Sequence, residues 1–440
     1  MTRATRWMLC AIAIGLGAAA PAGAAELARR ADWQARIAPP GDQPWAEVRS
    51  IEPGSPAERA GLRPGDRIRR VDSVRTDTPS RFDDARRATR AGRQVLLEVV
   101  RDGRPVRLRF APRGMPLEED PTLDIVYGEV TSSPGHRLRT IVTRPAGATG
   151  KLPSLILVPW LSCSSVEVLN RPLEGMNRLL AGILRQSGFL VMRVERPGVG
   201  DSEGPACSRT DLADEMAGER AALARLRAHP SFDPDRLFVL GMSLGGGRAP
   251  LLVTGEKVRG FVSVVGMVKT WFEHMMEIER RRLTLSGRPA AAINEAMRGY
   301  AELYGDYLLE RRTPGQVVRR RPRLASLWIE EPGHPYGRRA AFYHQVQALN
   351  LAEAWARVRV PTLIVTGEYD WIMSQDDADI MAGLVNRNRA GLATLVRWPR
   401  ASHELVQYPT RQAAFAGEGD TFDDALITLI VTWMKRQAGG

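Results

Sequence analysis

The sequence predicts an α/β protein: a doubly wound, mostly parallel sheet with a helical insertion, preceded by a small mixed β/α domain. Three observations predict it. From Leu152 onward, apolar strand patterns alternate with helical ones, the order that builds a parallel sheet covered by helices on both faces. The run LPSLILVP (152–159) is continuously apolar, as a strand buried on both faces must be. Residues 32–113 carry a separate pattern of short strands and turns. After them Pro112, Pro116 and Pro121, with acidic residues between, mark a linker at 114–123 and a second domain at 124–440.

A chain of 440 residues accommodates two domains, and 44% hydrophobic with 25% charged residues is a globular balance. Lys+Arg number 62 against 50 Asp+Glu, a net charge of +12. That charge runs from Arg29 to Arg436 instead of gathering on one helix or tail, which argues against a nucleic-acid partner. Six histidines and three cysteines, with neither CxxC nor HExxH, predict no metal and no cofactor.

The first residues read as a targeting segment. Arg3 and Arg6 precede an apolar stretch (8–21), and Ala22-Gly23-Ala24 has the small-x-small form of a cleavage site. Residues 1–24 are thus expected to be a signal peptide and the mature protein periplasmic or secreted; an uncleaved anchor is the alternative. No later stretch is apolar for long enough to give a stable membrane span. Export leaves Cys163 and Cys207 in an oxidising compartment, in loops expected at one sheet edge. They form either a disulfide or two partly buried thiols.

In the first domain, Ser55 caps a short helix that begins at Pro56, and Gly65-Asp66 turns the chain into the strand RIRRVDSV (67–74). FDDARRATRAG (82–92) is a second helix, and QVLLEVVRDGRPVRLRF (94–110) a hairpin about Asp102-Gly103. This arrangement resembles a PDZ domain of the bacterial periplasmic protease type, with SPAERAGLRPGD (55–66) its most specific mark. The resemblance implies docking of a peptide C-terminus as an added strand, its carboxylate on backbone N–H groups. The corresponding loop, DWQARI (32–37), departs from the usual small and apolar residues at Ala35 and Arg36. The domain is therefore read as a peptide clamp or as a docking or gating module.

The second domain opens with strands at 124–129 and 138–144 and proceeds through 152–159 to a helix ending at Gly188, a strand at 189–195, a helix at 211–230 and a strand ending at Leu240. There Gly241-Met242-Ser243-Leu244-Gly245 joins the strand to a helix. A strand-to-helix turn this sharp strains its serine, and flanking glycines remove the side chains that would clash. Ser243 Oγ then stands over a helix N-terminus, which favours developing negative charge. After a strand at 258–266 and a long insertion, TLIVTGEYDW (362–371) puts Asp370 just past a strand, and LVRWPRASHEL (395–405) puts His403 after the next. His403 is expected to take the Ser243 proton and Asp370 to hold its imidazole. Glu368, Asp376 and Asp377 are rival acids. His136, His229, His274, His334 and His344 are read as surface or core residues, and Glu404 as a solvated helix residue.

With the Gly-rich turn ERPGVGDSEG (195–204), these segments resemble the α/β-hydrolase superfamily of serine hydrolases over about 125–437. The resemblance implies Ser243, Asp370 and His403 as catalytic residues. Where many members carry His-Gly, this chain has Pro159-Trp160-Leu161, and Pro159 has no N–H to donate. The oxyanion donors are therefore expected to be the N–H groups of Leu244 and Leu161.

The insertion, 267–358, is mostly helical in pattern and is expected to form a lid. Trp271, Phe272, Met275 and Met276 either line an acyl pocket or pack the lid onto the sheet. Arg280, Arg281, Arg282, Arg319, Arg320, Arg321 and Arg323 either attract an anionic substrate or membrane surface or form a solvated face. The expected function is an exported serine hydrolase acting on a small-molecule ester or a peptide through an acyl-enzyme. Esterase is preferred to peptidase because no acidic anchor for a free N-terminus is evident. An acyltransferase and a non-catalytic PDZ docking protein are the alternatives.

Overall fold

The computed structural model describes residues 26–41, 43–328, 337–419 and 421–439. The expected signal peptide and His334 lie outside them. Eight strands form the main sheet: β1 Leu123–Thr131, β2 Arg137–Pro145, β3 Leu152–Val158, β4 Leu190–Val194, β5 Phe232–Met242, β6 Gly260–Val264, β7 Thr362–Gly367 and β8 Ala393–Trp398. Their spatial order is β8-β7-β6-β5-β3-β4-β2-β1. β1 and β2 pair antiparallel, as do β2 and β4, and the remaining neighbours run parallel.

β4 and β6 are buried at every position and β7 likewise, because apolar clusters cover both sheet faces. Helix Gly175–Gln186 meets the closing helix Ala425–Ala438 on one face, closely enough that a Cβ on Gly182 would strike Ile427. Helix Leu212–Arg227 covers the other. The insertion between β6 and β7 contains helices Trp271–Leu285 and Ala290–Tyr304, a π turn Gly305–Leu309, and the shorter helices Pro314–Arg320, Ala340–Gln347 and Leu351–Ala356. The first of these starts with a capping box, Thr270 with Glu273, which satisfies two otherwise unpaired N–H groups and fixes where the helix begins. The helix expected at 244–254 is instead two short ones, Leu244–Arg248 and Pro250–Val253, broken where Pro250 cannot donate.

The N-terminal domain is a five-stranded path in the order Ala35–Ala38, Ala46–Ile51, Arg67–Val71, Val95–Arg101, Arg104–Phe110, with helix Pro79–Ala88 beside it. Its own core holds Trp33, Phe82 and Phe110. This is the small PDZ-like domain, and the fold as a whole is the doubly wound sheet preceded by it. The stretch 114–123, read as a linker, is anchored: the buried Glu118 carboxylate accepts two hydrogen bonds from Arg193, at 2.9 and 2.7 Å, and one from Leu169 N–H at 2.8 Å. The two domains also share a polar seam. Arg29 donates to Glu167 (2.6 Å) and to Asp201 (3.0 Å), and Arg90 donates to Ser202 O (3.2 Å).

A disulfide joins Cys163, after β3, to Cys207, after β4, across 44 residues of chain. Closing a loop of that length removes unfolded-state entropy worth about 4 kcal/mol at room temperature. Replacing both cysteines by alanine is expected to lower unfolding free energy by roughly 2–4 kcal/mol, read as a lower denaturant midpoint with a steeper slope, because the opened unfolded chain exposes more surface. An unchanged midpoint would mean the unfolded chain gains nothing from opening that loop.

Candidate active site

β5 ends at Met242, and the chain reverses into a helix within one residue. Ser243 takes φ 54° and ψ −126°, a region that costs a non-glycine residue about 1–3 kcal/mol unless its surroundings enforce it. They do so on both sides. Ser243 N–H donates to Val264 O at 2.9 Å. A Cβ on Gly241 would lie 2.6 Å from Gly245 O, and one on Gly245 would collide with the carbonyls of Val158 and Pro159. The glycines therefore permit the close approach of β3 that the turn needs.

Three of the expected side chains meet here. Ser243 Oγ lies 3.0 Å from His403 Nε2, and His403 Nδ1 lies 2.9 Å from Asp370 Oδ2. The second carboxylate oxygen of Asp370 accepts the N–H groups of Ile372 (2.9 Å) and Met373 (2.8 Å), so the acid is held by its own loop. All three side chains are buried. Burial alone depresses the His403 pKa, but the charge of Asp370, its hydrogen bond and the nearby Glu404 outweigh it and hold the imidazole above its ordinary value. Glu404 is exposed and lies in a turn, not in a helix. The rival acids have other tasks: Glu368 accepts Arg400 N–H, Asp377 accepts the N–H groups of Val268 and Lys269 at the start of the insertion, and Asp376 is exposed.

Leu244 is the first residue of its helix, where the N–H has no carbonyl one turn back, and it lines the same cavity as Leu161. The irregular segment 160–162 is held from below by two buried arginines. Arg196 donates to Trp160 O and, at 2.7 Å, to Ser162 O. Arg338 donates to Leu161 O (3.0 Å) and to Cys207 O (3.0 Å). Three successive carbonyls are thus fixed on guanidinium groups. Both arginines pair with Glu215, and Arg248, from the helix that follows Ser243, pairs with Glu219 and reaches Glu215 at 3.8 Å. Burial, with Arg338 and Arg248 as neighbours, pushes Arg196 down to about 10.

A cavity of about 470 Å³ opens on Ser243 and His403. Its apolar wall includes Trp160, Trp271, Ile278 and Trp371. Of the four insertion residues considered from sequence, Trp271 lines it, whereas Phe272, Met275 and Met276 belong to the packing of the lid on the core. His274 also lines it. It is buried, stacks on Trp271 at 4.8 Å, and its Nδ1 has no partner among the described residues. The sequence carried a signal for this: Trp271, His274, Met275 and Ile278 share one face of a helix. Of the insertion's arginines, Arg282 reaches the cavity but pairs with Glu279; Arg281 donates to the carbonyls of Trp371 and Ile372, and Arg321 and Arg323 pair with Glu302. Among the described residues no group of three His, Cys, Asp or Glu is placed to hold a metal, and no helix is long and apolar enough to cross a membrane.

In the small domain, the chain between strands Ala31–Asp32 and Ala35–Ala38 bonds to itself. Gln34 has φ 52°, and its N–H donates to Asp32 Oδ1 at 2.9 Å. Trp33 is buried in the domain core and donates to Thr89 Oγ1.

Comparison with known proteins gives two family matches: residues 47–101 to the PDZ domain, and residues 172–418 to the alpha/beta hydrolase family. The chain is 31% identical over 105 residues to the Na(+)/H(+) exchange regulatory cofactor NHE-RF1 of Gallus gallus. That match covers 23% of this chain and 32% of the relative, so the chain spans about a third of that protein's length. Similar solved structures include an esterase of Pyrococcus furiosus (12% identity, 72% of this chain and 92% of that one, TM-score 0.44) and Est1E of Butyrivibrio proteoclasticus (12%, 71% and 99%, TM-score 0.44). A carboxyl esterase of Tuber melanosporum is also similar (16%, 73% and 88%, TM-score 0.42).

The two cavity histidines should titrate in opposite directions. In an NMR titration of the imidazole rings, His403 is expected to protonate above 6.5, the ordinary value, and His274 to stay neutral until about 3. Asp370→Asn removes the carboxylate that raises His403 and should bring its midpoint down. A His403 midpoint unmoved by that change would show that Asp370 does not set it.

Proposed function

Because the chain belongs to the alpha/beta hydrolase family, we propose that it is an exported serine hydrolase that cleaves a carboxylic ester through an acyl-enzyme on Ser243. The observation that carries this reading is the pair of hydrogen bonds Ser243–His403–Asp370, at 3.0 and 2.9 Å, beside an apolar cavity. Asp370 fixes the tautomer in which His403 Nδ1–H donates to it, leaving Nε2 free to accept. Nε2 takes the proton of Ser243 as Oγ bonds to the substrate carbonyl carbon, and the carbonyl oxygen becomes an oxyanion facing the N–H groups of Leu244 and Leu161. On collapse, the C–O bond to the alcohol breaks and the alcohol leaves with the proton from Nε2. Water then repeats the sequence: Nε2 takes its proton, its oxygen bonds to the acyl carbon, and the acid departs as Ser243 regains its hydrogen.

Ester is preferred to peptide because, of the two acids that line the cavity, Glu279 is paired with Arg282 and Glu404 acts on His403, so neither is set aside to hold a peptide amino terminus. Export is supported by the N-terminal basic, apolar and small-residue succession and by the Cys163–Cys207 disulfide. For the small domain we propose partner docking along Ala35–Ala38, the edge strand of its sheet, without capture of a terminal carboxylate, since Asp32 already takes the Gln34 N–H.

Three tests follow. A fluorophosphonate should add once to the wild type by intact mass and not at all to Ser243→Ala; equal labelling of both would remove Ser243 from its role. Because His403 must be neutral to accept a proton and its pKa is raised, kcat/KM should climb with pH through a midpoint above 6.5, falling away on the acid side as the imidazole charges. The third test concerns the arginine beneath Leu161. Arg338→Lys keeps a charge beside Glu215 but cannot hold Leu161 O, Cys207 O and Glu215 together, so kcat should fall about tenfold or more with KM within about twofold. Arg338→Leu strands part of a buried charge cluster and should in addition lower stability by about 3–5 kcal/mol. An unchanged kcat in the lysine variant would mean that the loop needs no such anchor.

A further inference from the structure

The cavity holds a cation with no direct partner among the described residues. Arg171, in the loop before helix Gly175–Gln186, lines the wall opposite no carboxylate of its own: it has no hydrogen bond and no ion pair among the described residues. It is half-buried, and an arginine stays protonated in proteins. Burial and the neighbouring Arg30 disfavour its charge, while Glu195, Glu167 and Glu118 favour it from beyond ion-pair reach; the net effect is a lowered pKa, so an anion bonded to it directly would favour the charged form. Nearby chain supplies further polar groups on the same wall. Asn177 lines the cavity with its side-chain amide unpaired, and Ser162 and Ser164 do so with hydroxyls bonded to each other. The other charges do not compete for this position. Arg282 is paired with Glu279, and Glu404 is exposed beside His403.

His274 adds a second, independent sign of a polar ligand. It is 3% exposed, and its Nδ1 has no partner although it lines the cavity. Burial pushes it down to about 3, so it meets the ligand as a neutral imidazole and adds no second positive charge.

Resting on the hydrolase reading above, we propose that the natural substrates are esters that carry a free carboxylate, such as half-esters of dicarboxylic acids, with that carboxylate on Arg171 and the apolar chain between against the tryptophans. Arg171 is then a specificity-determining residue. A guanidinium offers a carboxylate two parallel N–H donors, and in a half-buried site that pair is stronger than one in water. Its preference should weaken as salt rises.

The test uses matched substrates, the 4-nitrophenyl monoester of adipic acid and 4-nitrophenyl hexanoate, which differ in the terminal carboxylate. Wild type is expected to favour the anionic ester in kcat/KM by about tenfold or more at low salt. In Arg171→Leu that ratio should fall to about one, and Arg171→Lys should keep part of it. A ratio near one in wild type, or the same ratio in wild type and Arg171→Leu, would overturn the proposal. Binding to Ser243→Ala, followed by tryptophan fluorescence with monomethyl adipate and methyl hexanoate, separates this inference from the one beneath it. Anion-selective binding without any wild-type turnover would keep the Arg171 site and remove the hydrolase reading. Turnover with no anion selectivity in rate or binding would do the reverse.

Discussion

Glu215 is the point on which the cavity's architecture turns. Its carboxylate is buried with three guanidinium groups, those of Arg338, Arg196 and Arg248. Burial alone would push its pKa up, but those three charges hold it down. Each arginine comes from a different part of the chain: Arg196 from the Gly-rich turn after β4, Arg248 from the helix after Ser243, and Arg338 from the insertion. Glu215 and Glu219 lie on helix Leu212–Arg227, two residues of one face. A buried ion cluster is weak evidence of net stability, because desolvating each charge offsets much of the attraction. What it supplies is geometry. Removing a glutamate leaves buried guanidinium charge unpaired and removing an arginine leaves buried acceptors without their donors, so the turn, the nucleophile's helix, the insertion and segment 160–162 keep one arrangement.

The polar seam between the domains acts on the other end of the same segment. Arg29 and Arg30 reach Glu167, Arg139 reaches Asp201, and Asp84 of the small domain bonds to Ser208, beside Cys207. The chain from 159 to 169 is therefore fixed at every few residues: by Arg196 and Arg338, by the disulfide at Cys163, by Ser165 on the buried Glu195, by Glu167, and by Glu118 on the N–H groups of Val168 and Leu169. A segment without helix or strand has no ladder to hold it, and these partners stand in for one. The residues that flank the small domain, Arg29 and Arg30 before it and Glu118 after it, thus help to hold the wall of the cavity.

Much of this was legible in the sequence, and the reasons differ by element. β3 and the second half of β5, Leu237–Met242, announce themselves because strands covered on both faces are near-continuously apolar. The turn at Ser243 is legible because its glycines are demanded by contacts under 3 Å, leaving few other residues possible. Asp370 and His403 follow because the fold brings the ends of β7 and β8 beside that turn. Arg171, Arg196 and Arg338 were not legible. In a chain with 62 Lys and Arg, a buried arginine looks like any surface one, and only its distant partners distinguish it. His274 was read as an ordinary core or surface histidine. It is indeed buried, but what sets it apart is an absent hydrogen bond, and pattern cannot show an absence. The linker at 114–123 misled in the opposite sense: its prolines and acids look solvated, yet Glu118 finds Arg193 inside the sheet's edge.

These charges are disposed with a sense that bears on the proposed chemistry. Attack by Ser243 separates charge: the substrate oxygen becomes negative and His403 becomes positive. Beneath the loop that carries Leu161, three guanidinium groups face the two carboxylates of Glu215 and Glu219, an excess of one positive charge. Burial is the main reason Arg196 is depressed to about 10, and the charges of Arg338 and Arg248 add to it. Around His403 the balance is reversed, with Asp370 and Glu404 both favouring the imidazolium. Each developing charge therefore meets a field of opposite sign that is fixed before the substrate arrives, in a site where little water remains to screen it. The carboxylate of a half-ester on Arg171 fits the same logic. It is held by Arg171, a charge separate from the Asp370 and Glu404 carboxylates that favour the His403 imidazolium.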